Sequence, residues 1–294
     1  MSRPRRPPRA WIGAPKPVDP LELLGPRGLT QELLDEPEPP EGEASGSLGP
    51  GGEMVAKDNH SPRPPGAASG FPTELDRFHR SLLTDARLAR IESVIQARLG
   101  SVAVVLDRLL DPHNTAAILR SAEGLGIGAA WIVPHDDGDA GAHRRVTRDA
   151  DKWLSLRVVK TGALAARELR AQGFAVYAGH LDERARLVHE LPIEKPLALL
   201  FGNEHEGPSP ETLAACDGSF RIPMAGFTQS FNVSVAAGIA MHAAAQGRRA
   251  FLGAAGDLSE PGKDALRARF WKLAAKLARR IQRPPGSGDP EQNE

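Results

Sequence analysis

Cysteine is almost missing from this 294-residue chain, which holds only Cys216. A lone thiol excludes a disulfide framework, a cysteine-based zinc site and a CxxC redox pair. Net charge is missing too, because 37 Lys and Arg face 37 Asp and Glu. That excludes a uniformly basic nucleic-acid binder and leaves a local basic face as the electrostatic route to such a partner. No apolar run reaches the roughly 18–20 residues that a bilayer crossing takes. The arginines near the N-terminus have no apolar stretch behind them, so no secretory signal is expected and the protein reads as soluble and cytoplasmic. The chain also has no GxxxxGK[ST] phosphate loop, no HExxH and no GxSxG nucleophile turn. His113, His135, His143, His180, His189, His205 and His242 are scattered, so no metal site is expected. The run Gly124-Leu125-Gly126-Ile127-Gly128 lacks GxGxxG spacing and follows a helical pattern, which makes it a helix end and turn.

Proline and glycine are abundant in one place. They make up 24 of the first 70 residues, a composition that cannot bury enough apolar surface to offset its ordering entropy. Residues 1–70 therefore read as a disordered tail. Its basic head, Arg3 to Arg9, is either a solvated tail or an arm that touches nucleic acid. From Thr73 the spacing of Leu75, Phe78, Leu82, Leu88, Ile91, Ile95 and Leu99 predicts amphipathic helices ended by Gly100.

Short apolar runs then alternate with helical patterns. Strands are predicted at 102–106, 129–133, 174–178, 197–201 and 218–222, and helices at 114–125, 162–172 and 233–246. Strands of nearly continuous apolar character imply a parallel sheet covered on both faces, so the fold class is α/β. A last helix over 264–283 carries an apolar stripe of Leu266, Phe270, Leu273, Leu277 and Ile281. Its other faces hold seven cations, among them Arg269, Lys272, Lys276 and Arg280, against the single acid Asp264. That face is either a solvated surface or a phosphate-binding one.

Polar residues collect where strands should end, the place where open α/β sheets bind ligands. The three segments are DPHNTAAILRSAEGLG from Asp111, FGNEHEG from Phe201 and IPMAGFTQSFNVSVAAG from Ile222. Read singly, Ser230, Asn232 or Ser234 could be no more than a helix cap.

In their order and spacing the three segments resemble motifs 1, 2 and 3 of the SpoU branch of the SPOUT RNA 2'-O-ribose methyltransferases. The resemblance runs from about Thr84 to Arg249. It implies an α/β sheet with a C-terminal deep trefoil knot, S-adenosylmethionine as methyl donor, no metal, and a homodimer. Carried over residue by residue, Asn114 and Arg120 take the catalytic positions of motif 1. Glu204 beside Asn203 takes that of motif 2, and Ser230 and Asn232 those of motif 3. The donor contacts map to Gly179, Gly202, Ile222, Met224 and Phe231. Two positions depart from the pattern: Phe231 stands where Leu is usual, and Gly179 where Thr is frequent.

The implied layout is a helical N-terminal extension at 73–100, a methyltransferase domain at 101–249, a basic C-terminal extension at 250–284 and a tail at 285–294. Leu88 to Leu99 and the pair Lys152-Trp153 are similar to the tRNA guanosine-18 branch, so tRNA is the expected substrate. Arg269, Lys272, Lys276 and Arg280 are its expected contacts. The alternatives are a 23S ribosomal RNA methyltransferase and a non-catalytic RNA-binding protein of this fold. The presence of Arg120, Glu204 and Asn232 argues against the last.

Overall fold

Thr73 and Thr84 each start a helix by accepting a backbone N–H on the side-chain oxygen, from Asp76 and Arg87 respectively. The computed structural model describes residues 71–135 and 151–282, so the two expected tails lie outside the described residues. The amphipathic segment is two helices, α1 (Glu74–Ser81) and α2 (Asp85–Gln96). Gly100 does not end the pattern, contrary to the sequence reading. The helix stops at Gln96, and Gly100 lies inside a wholly buried strand, β1 (Leu99–Asp107), where its N–H donates to Asp257 at 2.6 Å.

Six further strands follow: β2 (Ile127–Val133), β3 (Ser155–Val158), β4 (Ala175–Gly179), β5 (Arg186–Leu187), β6 (Leu197–Phe201) and β7 (Gly218–Arg221). They form one sheet in the order β3-β2-β1-β6-β4-β7-β5, with every neighbouring pair parallel. The remaining helices are α3 (Pro112–Gly124), α4 (Gly162–Ala171), α5 (Pro210–Ala215), α6 (Val233–Leu252) and α7 (Glu260–Gln282). Three elements escaped the sequence reading. β3 alternates polar and apolar residues at a sheet edge, β5 is two residues long, and α5 is six.

Alternation along the strands divides the core. Val102, Val104 and Leu106 of β1 face α3 and α6, where Ile118, Leu119, Ala240, Met241 and Ala244 meet them. Ala103 and Val105 face the opposite side, against Ala166 and Leu169 of α4. The many alanines on α6 allow that helix to lie close to the sheet. Among the described residues no helix is long and apolar enough to cross a membrane.

A third core forms where the two ends of the described chain meet. Ile91 and Ile95 of α2 pack with Leu266, Phe270 and Trp271 of α7. Trp153 sits edge-on to Phe270 at 5.0 Å, and Phe71 stacks on Trp271 at 5.5 Å. The buried face of α7 is Leu266, Phe270 and Ala274 with Trp271 and Ala275, whereas Leu273 and Leu277 of the predicted stripe are only half-buried. Because α7 packs against both α1 and α2, a wider face with small alanines displaces the narrow leucine stripe. Arg267 forks onto Glu92 at 2.7 and 2.9 Å, and that hydrogen bonding outweighs burial and draws the Glu92 carboxyl down to about 2.

Arg98 joins this helical layer to the sheet. It is 1% exposed, and its guanidinium donates to the carbonyls of Glu123, Ile127 and Trp153 and to the Glu123 carboxylate at 3.0 Å. Arg98→Leu would leave those acceptors without their donor. Removing one partner of such a buried cluster typically costs about 3–5 kcal/mol, and urea denaturation of the variant should show a midpoint lowered accordingly. A loss of under ~1 kcal/mol would mean that water replaces the guanidinium.

Candidate functional site

The site is built at the carboxyl ends of β1, β4, β6 and β7. At the end of β1 the backbone turns sharply, with Arg108 in the left-handed region at φ 56°. Asp111 then caps α3 by accepting the His113 N–H at 2.8 Å, with Pro112 in the first turn. The turn aims the Leu110 and Asp111 N–H groups at Glu204, 2.8 and 3.3 Å away.

After β6 the chain folds tightly on itself. The Asn203 side-chain oxygen accepts the N–H groups of His205 and Glu206, and its amide donates to the Arg108 carbonyl at 3.2 Å. Only glycine fits at 202, because a Cβ there would lie 2.2 Å from the Pro208 nitrogen. This turn holds Glu204 towards the β1–α3 loop.

Three side chains then link in series. The Asn114 amide donates to Glu204 at 3.0 Å, and its oxygen accepts from the Asn232 amide at 3.2 Å. The Asn232 oxygen is occupied in turn by the Ser234 N–H at 2.8 Å and hydroxyl at 2.6 Å, which caps α6. Of the three candidate caps, Asn232 is the one used. Burial of Glu204 opposes its ionisation, but the Leu110 N–H, the Asn114 amide and the Asp111 N–H outweigh it and hold the carboxyl below the usual carboxylate range.

A cavity of about 510 Å³ opens beside this series. Gly179, Gly202, Ile222, Met224 and Phe231 all line it, together with Glu204, Ser230 and Asn232. Asn114 stands behind the wall, buried and reached through Glu204 and Asn232. Phe201, Phe220, His180 and Gln229 also line it and were not singled out in the sequence. Phe201 and Gln229 lie inside the quoted motif segments, whereas His180 and Phe220 had only their position at the carboxyl ends of β4 and β7 to mark them. The walls are largely apolar. Their carboxylates are Glu204 and Glu206, and no Lys or Arg lines the cavity among the described residues. Such a lining suits a flat aromatic ligand that carries positive charge. A second hollow of about 680 Å³ lies beyond His180, where Asp182, Glu183, Arg184 and Arg186 mix both signs and no residue of the three motif segments contributes.

Arg120 is not gathered into the cavity. It is exposed on α3 and makes no hydrogen bond or ion pair with the described residues. Six helical residues separate it from Asn114, which turns the two about 120° apart around the axis. The four cations of α7 also divide. Lys272 and Lys276 are exposed, whereas the Arg269 guanidinium donates to the carbonyls of Lys152 and Leu154 at 3.1 and 2.7 Å and so holds the turn before β3. The Arg280 side chain lies outside the described ones.

The chain matches the SpoU rRNA Methylase family over residues 101–242. It is 41% identical over 165 residues to the tRNA (guanosine(18)-2'-O)-methyltransferase of Thermus thermophilus, a match covering 56% of this chain and 84% of that one. A 23S rRNA (guanosine-2'-O-)-methyltransferase of Acinetobacter baylyi is 33% identical over 162 residues, covering 54% of this chain and 64% of that one. Among solved structures, a TrmH/SpoU tRNA modifying enzyme of Aquifex aeolicus superposes with a TM-score of 0.58 at 28% identity, over 65% of this chain and 97% of that one.

The Glu204 network carries a pH signature. A carboxyl whose folded pKa is depressed adds stability above its unfolded pKa, about 4.3 for Glu, and loses it as pH falls through the lower folded value. Glu204→Gln should therefore be less stable than the parent near neutral pH, with the gap closing as pH drops below that window. Denaturation series at several pH values measure this, and a gap independent of pH would show that the carboxylate charge is not what holds the loops.

Proposed function

This chain belongs to the SpoU rRNA Methylase family, and on that premise we propose that it methylates a ribose 2'-hydroxyl of RNA, with guanosine 18 of tRNA as the substrate. One observation carries the reading: Glu204, Asn114 and Asn232, drawn from three separate motifs, hydrogen-bond in series beside one cavity. The choice of tRNA is supported by the higher identity and fuller coverage with the Thermus thermophilus tRNA enzyme than with the Acinetobacter baylyi rRNA enzyme. The cytoplasm is the compartment that fits such a substrate.

S-adenosylmethionine, when bound, supplies a methyl group on a positively charged sulfonium. Ile222, Met224 and Phe231 would hold its adenine on apolar walls, with Gly179 and Gly202 offering backbone at close range. Glu204 keeps the β1–α3 loop and Asn114 in place. Asn114, Ser230 and Asn232 orient the ribose. Arg120 stabilises the charge that develops on the ribose oxygen and clamps the adjoining phosphate, since a guanidinium ordinarily keeps its proton. We read the protein as a homodimer. Val235 and Ile239 leave an exposed apolar pair on α6 for a second copy to cover, and on this reading Arg120, exposed and outside its own chain's cavity, serves the site of the partner. The chain path supports a trefoil knot: β6 enters between β1 and β4, β7 continues beyond β4, and α6 returns to pack on α3 and β1. Residues 101–249, with the first residues of β1 and the last of α6, then form the catalytic domain, flanked by α1 and α2 on one side and α7 on the other as helical extensions.

Transfer of labelled methyl from S-adenosylmethionine to unmodified tRNA and to ribosomal RNA tests the substrate, and label confined to ribosomal RNA would reverse the choice. Arg120→Ala should lose about 10²–10³ in turnover while keeping donor affinity, and Arg120→Lys should recover little because an ammonium cannot span two oxygens in a planar fork. Near-normal turnover of Arg120→Ala would move the catalytic assignment elsewhere. The active species should sediment as a dimer, and an active monomer would contradict the shared site.

The exposed Lys272 and Lys276 make α7 an RNA-binding face. Replacing both with Ala should lower the slope of log K on log salt by about 0.7–0.9 for each lost phosphate contact. An unchanged slope would show that the face is merely solvated.

A further inference from the structure

Phe227 lies in the loop between β7 and α6, and the residue is 109% exposed, wholly in solvent. Large aromatic side chains usually bury most of their surface, so a ring presented in full is a site in want of a partner. Its place in the chain narrows the partner. Met224 on one side and Gln229, Ser230 and Phe231 on the other line the cavity, which puts the Phe227 backbone on the rim. Phe231 turns to the wall and Phe227 turns out. From Ile222 to Phe231 the loop has no charged residue, so no charge in it repels or attracts a phosphate. What it offers a nucleic acid is the face of a ring. Gly226 leaves one flank of the ring's base open, since a Cβ there would meet nothing closer than the Thr228 hydroxyl at 4.0 Å.

We propose that Phe227 is a substrate-contacting residue that stacks on an unpaired nucleobase next to the target ribose. This rests on the RNA-methylating function set out above. Proteins that read unpaired RNA stack its bases on aromatic side chains, and the flat ring is what the contact needs. The continuity of Phe227 with the cavity rim favours a base over a second copy, whose apolar counterpart is the Val235 and Ile239 pair on α6.

The test compares Phe227→Ala, Phe227→Trp and Phe227→Leu for affinity to an unmodified tRNA transcript, KM for that RNA, donor affinity and sedimentation. Phe227→Ala should weaken RNA binding and raise KM about 5–150-fold, the range of one base stack. Phe227→Trp should recover the loss and Phe227→Leu should not, with donor affinity and mass unchanged. Unchanged RNA affinity in Phe227→Ala would overturn the proposal. So would full recovery by Leu, a loss of donor affinity (the ring covers the donor) or a shift to monomer (the ring docks a second copy). Binding is read independently of turnover. A parent chain that transfers no methyl yet loses RNA affinity on Phe227→Ala would sink the functional reading and, with it, the target ribose, leaving only the base stack.

Discussion

The carboxylate of Glu204 receives two backbone N–H groups from one loop and the side-chain amide of Asn114 from the helix that follows. Hydrogen bonds to an ionised group are worth about 1.5–3 kcal/mol each, and only an anion offers acceptors in all those directions. The charge fixes more than its immediate neighbours. With the Asn114 amide committed to Glu204, its oxygen must face away and accepts from Asn232. With the Asn232 oxygen committed to capping α6, its amide must face Asn114. Each amide is thereby oriented by its other contact, and segments 90 and 118 residues apart share one geometry.

Around that node the parallel sheet does the positioning. Strands buried on both faces have little freedom to shift, because a one-residue slip would carry every side chain to the wrong face. The loops at their carboxyl ends therefore start from fixed points. Asp107 secures the most strained of these exits. Its buried carboxyl, pushed above the usual range by desolvation, accepts from the Thr212 hydroxyl at 3.1 Å and anchors β1 just before Arg108 turns left-handed. The Asn203 amide then holds the Arg108 carbonyl from the neighbouring strand end of β6.

How much of this could be read in advance follows from what each signal depends on. The buried strands announced themselves as apolar runs, and β6 matches its expected limits at Leu197 and Phe201. Four of the five residues expected to contact a donor were legible because they sit in contiguous motifs, the fifth, Gly179, because it ends a strand, and all five line one cavity. The Asn114–Asn232 bond was not legible, since it joins side chains whose separation in sequence carries no periodic signal. Nor was the duty of Arg269. A cation on a helix looks the same in sequence whether it faces water or, as here, two backbone carbonyls. The α7 stripe held at Leu266 and Phe270 but not beyond: leucine spacing indicates a face, whereas further along Ala274 and Ala275 are buried and Leu273 and Leu277 only half so.

The helices at the two ends of the described chain share one core, and the Glu92–Arg267 pair that locks it spans 175 residues. During synthesis α1 and α2 precede the sheet, yet α7, which buries Ile91 and Ile95, follows it. Until α7 emerges, Ile91 and Ile95 have no partner from that helix. The sheet, by contrast, can close as soon as β7 is made. The order of completion thus runs from the inside outward, and the helical layer that precedes the sheet in the chain is finished only after it.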